Sequence, residues 1–433
     1  MQRSRSPISA AAATPSAATS PALPRSVVIV GAGIVGMACA LFLQRDGHAV
    51  TVIDPREPGT AASSGNAGII AINAVAPIAL PGLVRRAPRL LFDRDGPVRL
   101  RLAYLPRIAP WLLRVLLAAR PDRVEKISTA LAALLDHAND AYGELLRLGD
   151  AAAFYRRTGW LKVYSTEAAF DQSAEERDLM RWHGVRFDIL SGGEVRHMEP
   201  ELAPIFVRGM FFPDCGLVLN PERLVATLAA TFRERGGVIQ REAARRFGAA
   251  GRQREVITER ARYTADAVVV AAGAWSGPLA RALGARVPLD TERGYHLMFD
   301  MPEPGLRRPT LWGNHGFNLA PMETGLRLTS GVEFGGLDAP PNYRPIERLA
   351  GLAQTMLPGL TAQPRSRWMG FRPSLPDSLP VLGRSARQDG VYFAFGHQHL
   401  GLTLGAVSGR IIADLVAGRE PGLDLAPYRA ERW

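Results

Sequence analysis

Three glycines near the start of the chain have the spacing of a nucleotide-binding turn. Gly31, Gly33 and Gly36 form the pattern GAGIVG directly after an apolar run. The first glycine allows a tight turn, the second lets the backbone approach a pyrophosphate, and the third lets a helix pack closely on a strand. Asp54 stands 18 residues after Gly36, where its carboxylate can accept hydrogen bonds from ribose hydroxyls. The pattern predicts dinucleotide binding without separating FAD from NAD.

Three further segments favour a flavin. SSGNAG, at 63–68, is a glycine-rich loop that can run beside a flavin ring, and AAGAWSG, at 271–277, offers a second close approach of the backbone. FGHQHLGLT, at 395–403, brings backbone donors and a helix start to the polar edge of an isoalloxazine ring. Together they predict FAD. The predicted cofactor-binding residues are Gly31, Gly33, Ile34, Val35, Gly36, Asp54, Ser63, Ser64, Asn66, Ala67, Gly68, Ala272, Gly273, Trp275, Gly396, His399, Leu400, Gly401, Leu402 and Thr403.

The glycine motifs need strands and helices to hold them. An apolar strand at 27–30, a helix at 34–46 and a second strand at 49–53 make one right-handed βαβ unit around GAGIVG. A further strand, at 267–270, runs straight into AAGAWSG. These elements are predicted to belong to one sheet.

A second helix of this sheet is predicted to begin at Asn220. This residue is a capping side chain followed by Pro221 at the first helical position. Apolar residues then recur at helical spacing, at Leu224, Val225, Leu228 and Phe232. The helix should pack on the same sheet as the βαβ unit.

The rest of the chain changes pattern several times. Residues 81–148 are mostly helical in pattern, and short strands follow, such as 159–164. Segments between 287 and 334 alternate like antiparallel strands, and a glycine-rich turn and a helix at 405–416 end the chain. The predicted fold class is α/β: a Rossmann-type FAD-binding domain assembled from separated segments, with an inserted α+β substrate domain that carries an antiparallel sheet.

The domain boundaries follow from these patterns. We assign 26–80, 216–285 and 375–433 to the FAD-binding domain. We assign 81–215 and 286–374 to the substrate-binding domain. Residues 1–25 are rich in Ala, Ser, Pro and Arg without an apolar core, which predicts a disordered tail rather than a secretory signal, with a transit peptide as the alternative.

Composition restricts the partners. The net charge is +11, and all but two of the 52 basic residues are arginines, scattered along the chain. Because neither a basic stripe nor an aromatic platform accompanies the charge, we expect no nucleic-acid binding. Cys39 and Cys215 have no disulfide or metal spacing, so we expect no metal and a reducing, cytoplasmic compartment.

No segment has the composition expected of a membrane span. Residues 58–84 lack charge, but glycines, prolines and asparagines interrupt them. Residues 110–117 are apolar and contain Arg114. We read that run as a buried or interface helix, and a helix lying peripherally on the inner membrane is the open alternative.

Five motifs together resemble one family of flavoproteins. GAGIVG, SSGNAG, AAGAWS, GFRPSLPDSLPVLG and GHQHLGLT match, in order and approximate spacing, the D-amino-acid oxidase-like enzymes, which include glycine oxidase and bacterial D-amino-acid dehydrogenases. The resemblance covers about residues 26–418. SSGNAGII is most similar to the dehydrogenase branch, and ERGYH with RWMGFRPSLPDSLP resembles enzymes for D-amino acids or cyclic imino acids such as cis-4-hydroxy-D-proline. SSGNAG has no His or Cys to attach a flavin, so the expected FAD is non-covalent.

The resemblance implies three catalytic residues. Arg372, in the RP turn, would bind the substrate carboxylate, for which a planar guanidinium is suited; an ion pair with Asp377 is the structural alternative. Tyr295 would supply a hydroxyl to the substrate or wall the pocket; packing within the β-sheet is the structural alternative. His397 would take part in the site or serve as a hydrogen-bonding scaffold.

The implied reaction is oxidation of a small D-amino acid. Hydride leaves Cα for flavin N5, gives an imino acid and needs orientation more than acid–base groups. The first hypothesis is a dehydrogenase that passes electrons to a quinone or carrier. The alternatives are a cis-4-hydroxy-D-proline dehydrogenase, an oxidase that uses oxygen, and a non-catalytic flavin subunit of a hetero-oligomer.

Overall fold

The computed structural model describes residues 25–82, 98–360 and 363–433. The tail predicted at 1–25 therefore lies outside the described residues, except for Arg25. The strands are β1 (Ser26–Val30), β2 (Ala49–Ile53), β3 (Ile69–Ile70), β4 (Val98–Leu100), β5 (Tyr155–Arg156), β6 (Trp160–Tyr164), β7 (Asp188–Ser191), β8 (Arg208–Phe212), β9 (Gly216–Val218), β10 (Val238–Gln240), β11 (Arg246–Ala250), β12 (Gln253–Ile257), β13 (Arg262–Ala265), β14 (Ala267–Val270), β15 (Asp290–Phe299), β16 (Thr310–Trp312), β17 (Phe317–Met322), β18 (Gly325–Phe334), β19 (Ser366–Ser374), β20 (Val381–Arg384) and β21 (Val391–Phe395). The helices are α1 (Ile34–Arg45), α2 (Leu105–Ala118), α3 (Pro121–Asp136), α4 (Ala138–Leu148), α5 (Glu167–Asp171), α6 (Ala174–Trp182), α7 (Gly192–Met198), α8 (Pro221–Glu234), α9 (Ser276–Ala282), α10 (Arg344–Met356) and α11 (Gly401–Val416).

The first sheet is the predicted dinucleotide-binding sheet. Its order is β10-β2-β1-β14-β21-β20, and all neighbours are parallel except the edge pair β20 and β21. Val28 of β1 lies opposite Thr51 of β2 and Val268 of β14. The glycine turn after β1 and the turn after β14 therefore lie side by side at the carboxyl edge of the sheet.

Helix α8 begins as its cap predicts. The side chain of Asn220 accepts a hydrogen bond from Arg223 N at 3.1 Å, and Pro221 is the first helical residue. The four apolar positions named from the sequence are fully buried: Leu224, Val225, Leu228 and Phe232.

Helices α1 and α11 make the closest helix contact near the sheet. A Cβ at Gly409 of α11 would lie 2.7 Å from the carbonyl carbon of Ala38 and 2.8 Å from Cys39 N in α1. The glycine therefore lets the two backbones touch. Because α1 is covered by the sheet on one side and by α11 on the other, it is apolar nearly all round.

Helices α3 and α4 extend this core. Leu131 and Leu135 of α3 and Tyr142 and Leu145 of α4 join the same apolar cluster as α1 and α11. They lie within 81–215, the range assigned to the substrate domain, yet they pack on the helices of the first sheet. The domain boundaries stay a prediction, and we propose that 121–148 be counted with the FAD-binding part.

The second large sheet has nine strands. Its order is β19-β15-β18-β17-β16-β6-β8-β7, with β4 beside β18. Antiparallel pairing dominates, which confirms the predicted antiparallel sheet; β6 with β16 and β4 with β18 are parallel pairs. One face packs on α10, where Leu297, Phe299 and Leu328 share a buried cluster with Ile346 and Met356. Residues that alternate with these point to the opposite face.

The C-terminal helix starts earlier than predicted. It begins at Gly401 rather than 405, because a single 3₁₀ turn at Gln398–Leu400 leads directly into it. Among the described residues, Gln398–Val416 is long and apolar enough to cross a membrane by length and composition, and 78% of it is buried inside the protein. Its apolar surface is thus used in the core.

The α1–α11 contact generates a prediction. Gly409→Ala should lower the free energy of unfolding by about 1–3 kcal/mol, because the new methyl group overlaps backbone that cannot move aside. Gly351→Ala is the matched control: it lies in α10, and its Cβ would meet nothing within 4 Å. The control should be stabilised by about 0.5–1 kcal/mol. Urea unfolding measures both, and equal effects would contradict the packing.

Candidate active site

One large cavity lies between the two sheets. It encloses about 1400 Å³. Gly31 and Gly33 line one end, and Arg372 and Gly370 line the other, on β19 of the second sheet. The motifs singled out from the sequence therefore meet in one space.

The glycine end of the cavity is built around a backbone contact. Gly31 has φ +116°, and a Cβ there would lie 2.3 Å from the carbonyl oxygen of Ala271, at the end of β14. A Cβ at Gly36 would lie 1.9 Å from the carbonyl oxygen of Gly31. Only glycine fits either place, and the open N-terminus of α1 is left facing the cavity.

Two side chains complete this end. Asp54 accepts hydrogen bonds from Ala32 N at 2.8 Å and Arg56 N at 2.9 Å, which holds its carboxylate at the end of β2. Ser63 Oγ accepts from Ile34 N at 3.1 Å, so the SSGNAG loop is tied to the first turn of α1. The arrangement offers backbone donors beside a fixed carboxylate, as a pyrophosphate followed by a ribose requires.

The second sheet holds the SSGNAG loop from the other side. Arg327 on β18 donates to the carbonyl oxygens of Ser64 at 2.9 Å and Asn66 at 2.6 Å. His296 on β15 lies with Nδ1 3.3 Å from Gly65 O and stacks on Trp368 at 5.1 Å. Burial, reinforced by the charge of Arg327, lowers the pKa of His296 to about 3. The neutral ring therefore donates from Nδ1 to the carbonyl group.

The C-terminal loop carries two neutral histidines. His397 Nε2 lies 2.8 Å from Ser408 Oγ, and burial lowers the pKa of His397 to about 4. His399 lines the cavity and is exposed to it, and partial removal from water and the charge of Arg372 lower its pKa. Gln398 between them has φ +50° and donates to Leu375 O at 2.6 Å. Both histidines line the cavity, and the contacts of His397 favour the scaffold alternative.

Arg372 faces the cavity from β19. Its guanidinium donates to Gly331 O at 2.9 Å and fills the space that a Cβ on Gly294 would occupy. The alternative partner, Asp377, is bound instead by Arg432 at 2.7 Å. The remaining donors of Arg372 are left for a ligand in the cavity.

Tyr295 is directed away from that ligand space. Its hydroxyl donates to Glu333 and accepts from Asn342 N at 3.2 Å, and its ring meets Tyr343 edge-on at 5.7 Å. It belongs to the cluster under α10 and only borders the cavity. These contacts favour packing within the sheet, with the ring at the border of the pocket, over donation of the hydroxyl to a substrate.

The cavity contains most of the predicted cofactor residues. Those that line it are Gly31, Gly33, Ile34, Val35, Asp54, Ser63, Asn66, Ala67, Ala272, Gly273, Trp275, His399, Leu400, Gly401 and Leu402. Those that do not are Gly36, Ser64, Gly68, Gly396 and Thr403. The second group acts one step back: Thr403 Oγ1, for example, accepts from Ala71 N at 3.0 Å. We revise their role from cofactor contact to support of the loops.

Several lining residues were missed from the sequence. Glu292, Asn318, Thr329 and Trp368 all border the cavity. Strand alternation offers a signal for Glu292, which shares a face with Gly294 in ERGYH. The positions of Asn318 and Trp368 depend on the register of β17, β18, β15 and β19, which no local sequence pattern predicts.

Comparison with known proteins identifies the family. The sequence family described as FAD dependent oxidoreductase (DAO) matches residues 26–415. The chain belongs to this family. It is 37% identical over 417 residues to a D-amino-acid oxidase of Bradyrhizobium diazoefficiens, covering 94% of this chain and 99% of that one. It is 31% identical to a D-amino acid dehydrogenase of Methylobacterium nodulans, covering 91% and 96%.

The fold of this DAO-family enzyme also has solved counterparts. Glycine oxidase from Geobacillus kaustophilus superposes with a TM-score of 0.75 at 23% identity, covering 95% of this chain and 99% of that one. The α/β fold with an antiparallel second sheet is thereby confirmed. The cofactor of the family is FAD, and the donor set fits it: a backbone cradle for the pyrophosphate, a carboxylate for the ribose and a space closed by loops for the ring.

The contacts of Arg327 generate a prediction. Arg327→Met should weaken FAD binding about 10- to 100-fold, because hydrogen bonds from a charged group are worth about 1.5–3 kcal/mol each and 1.4 kcal/mol is tenfold in affinity. Arg208→Met is the control, since Arg208 pairs with Glu167 on the surface of the same sheet. Fluorescence titration of apoprotein with FAD measures both. Unchanged affinity in Arg327→Met would show that the loop holds without it.

Proposed function

We propose that this DAO-family enzyme is a D-amino-acid dehydrogenase. The relatives at 37% and 31% identity are named for oxidation of D-amino acids. The observation that carries the proposal is Arg372, a cavity-facing guanidinium whose one hydrogen-bond partner among the described residues is Gly331 O, on the opposite sheet from the glycine turn. A planar cation at that place suits the carboxylate of an amino acid.

The chain's own groups would orient the substrate. Bound FAD, held non-covalently by the glycine turn and the loops, supplies a ring that accepts hydride from Cα and leaves an imino acid, which water converts to a keto acid and ammonia. Arg372 holds the carboxylate, and Gly294 and Gly370 let the side chains of Arg372 and Trp368 lie flat against the cavity face of the sheet. His397 supports the C-terminal loop through its contact with Ser408. Fixed orientation supplies much of the rate in such a reaction.

The side chain of the substrate and the electron acceptor are narrower proposals. The substrate is a small D-amino acid, with a cyclic imino acid such as cis-4-hydroxy-D-proline as the alternative. Electrons pass to a quinone or carrier, and an oxidase that uses oxygen is the rival reading, since one relative is named an oxidase. A non-catalytic flavin subunit would have no use for Arg372 in its cavity.

Anaerobic reduction tests the function. D-alanine or cis-4-hydroxy-D-proline should bleach the flavin absorbance, and L-alanine should not. Oxygen uptake that matches the rate of dye reduction would favour the oxidase. No bleaching by any D-amino or imino acid would reject the proposal.

Arg372→Met should weaken binding of the substrate carboxylate about 100-fold or more, because truncating one partner of a buried charge pair costs about 2–5 kcal/mol. Benzoate binding, followed by the change in flavin absorbance, measures this without turnover. Arg367→Met is the control on the same strand, where Arg367 pairs with Glu347 at 2.9 Å. Equal benzoate affinity in the two variants would show that Arg372 does not bind the substrate carboxylate.

We further propose that α2 brings the cavity to the inner membrane surface. Leu113 and Leu117 are 58% and 44% exposed, whereas Trp111 of the same helix is buried and lines the cavity. Arg107 and Arg114 are exposed among these residues, and no acidic residue occurs from 98 to 121. An apolar face flanked by arginines fits an anionic bilayer interface, where a quinone would be within reach.

Sedimentation with vesicles tests this contact. The enzyme should bind vesicles of phosphatidylglycerol and phosphatidylcholine, and the Leu113→Asp, Leu117→Asp double variant should lose about 10-fold or more in binding, because charge opposes burial in the interface. Ile189→Asp with Val207→Asp is the control, since both residues are exposed elsewhere on the protein. Equal loss in both variants, or no binding by the native enzyme, would refute the contact.

A further inference from the structure

A buried carboxylate lies beside the proposed carboxylate clamp. Glu292 on β15 lines the cavity and is only 3% exposed. In the antiparallel register it is the direct partner of Arg372 on β19, so the two side chains leave the sheet on the same face. Partners at this spacing have Cβ atoms about 4.5–5.5 Å apart.

In the described part of the chain, the carboxylate of Glu292 and the guanidinium of Arg372 do not form an ion pair. Within the described residues, Glu292 makes no ion pair within 4.0 Å, whereas Arg372 donates to Gly331 O. Two other polar groups lie near Glu292: Ser374 on β19, whose hydroxyl donates to Arg372 O at 3.4 Å, and Asp290 on its own strand. A guanidinium and a carboxylate thus lie side by side at the wall of the cavity, and both can still bind a ligand.

The surrounding charges decide which state Glu292 prefers. Burial raises the pKa of Glu292, the charge of Arg372 and the nearby Ser374 hydroxyl oppose that rise, and Asp290 adds to it. Asp290 itself is bound by Tyr104 at 3.0 Å, and burial raises its pKa too. From the C-terminal loop, His399 also lines the cavity, and partial removal from water and the charge of Arg372 lower its pKa. A carboxylate in this setting holds an acquired proton more firmly than one in water.

We infer that Glu292 is a catalytic residue that binds the substrate ammonium group and accepts its proton. This rests on the proposed function. With the substrate carboxylate on Arg372, the amino group on the same carbon is within reach of the neighbouring carboxylate. Arg372 and Glu292 would then together bind a zwitterion, a molecule that carries both a carboxylate and an ammonium group.

The proton transfer makes the subsequent hydride loss possible. An N–H bond of the ammonium group breaks and an O–H bond forms on Glu292, which leaves a neutral amine with its lone pair. That lone pair becomes the second C–N bond when the Cα hydrogen departs with two electrons to FAD, so the products are an iminium ion and the reduced cofactor. An ammonium group has no lone pair to give, which is why the proton must leave first.

The test compares Glu292→Gln with Glu292→Asp in the FAD-loaded enzyme. For the native enzyme, the rate of anaerobic flavin reduction at low D-alanine concentration should fall on the acid side as Glu292 becomes protonated. In Glu292→Gln it should drop about 100-fold at pH 7, as expected for loss of a general base, and should recover towards pH 10, where the substrate amine is already neutral. Glu292→Asp should retain part of the native profile. Glu176→Gln, which removes a carboxylate paired with Lys162 outside the cavity, should change neither.

Benzoate binding supplies a readout independent of turnover. Because benzoate has a carboxylate and no amine, Glu292→Gln should bind it as tightly as the native enzyme or more tightly, since a negative charge next to Arg372 is gone. A uniform loss at all pH values together with weaker benzoate binding would mean that Glu292 only supports the fold, and would overturn the inference. If no D-amino or imino acid reduces the native enzyme, the proposed function itself fails; if the native enzyme is reduced and Glu292→Gln keeps its profile, only this inference fails.

Discussion

The structure depends on one backbone contact, where the turn at Gly31 meets the end of β14 at Ala271. At 2.3 Å from the carbonyl oxygen, no Cβ is tolerated. Because the two strand ends touch there, α1 begins at the edge of the sheet with its N-terminus at the cavity. Asp54 and Ser63 are tied to this turn by hydrogen bonds from Ala32 N and Ile34 N.

The opposite wall is set by a sheet with two different faces. The face under α10 is apolar and carries Leu297 and Phe299, so it fixes the sheet against its own helix. The alternate residues are left for the cavity, and they include Glu292 and Arg372. Arg327 and His296 then reach across to the SSGNAG loop. The two halves therefore hold the cofactor loop between them, and orientation of a substrate is a consequence of how the sheet packs.

Local sequence signals predicted the parts of the fold that depend on neighbours along the chain. The cap at Asn220, the βαβ unit around GAGIVG and the strand before AAGAWSG are confirmed because propensity, turn chemistry and periodicity agree there. The site was harder to predict. Alternation puts Tyr295 and Gly294 on opposite faces, but which face meets the cavity depends on the packing of α10, about 50 residues later in the chain. Arg327 was missed for the same reason, since its acceptors are carbonyl groups far away in sequence.

We propose that the chain holds one non-covalent FAD between the glycine turn and the second sheet. The FAD content of the purified enzyme, determined from its absorbance before and after denaturation, tests this proposal. We expect one FAD per chain, released into solution when the protein unfolds and taken up again by apoprotein. A colourless protein that takes up no FAD, or a flavin that stays with the precipitated chain, would contradict it.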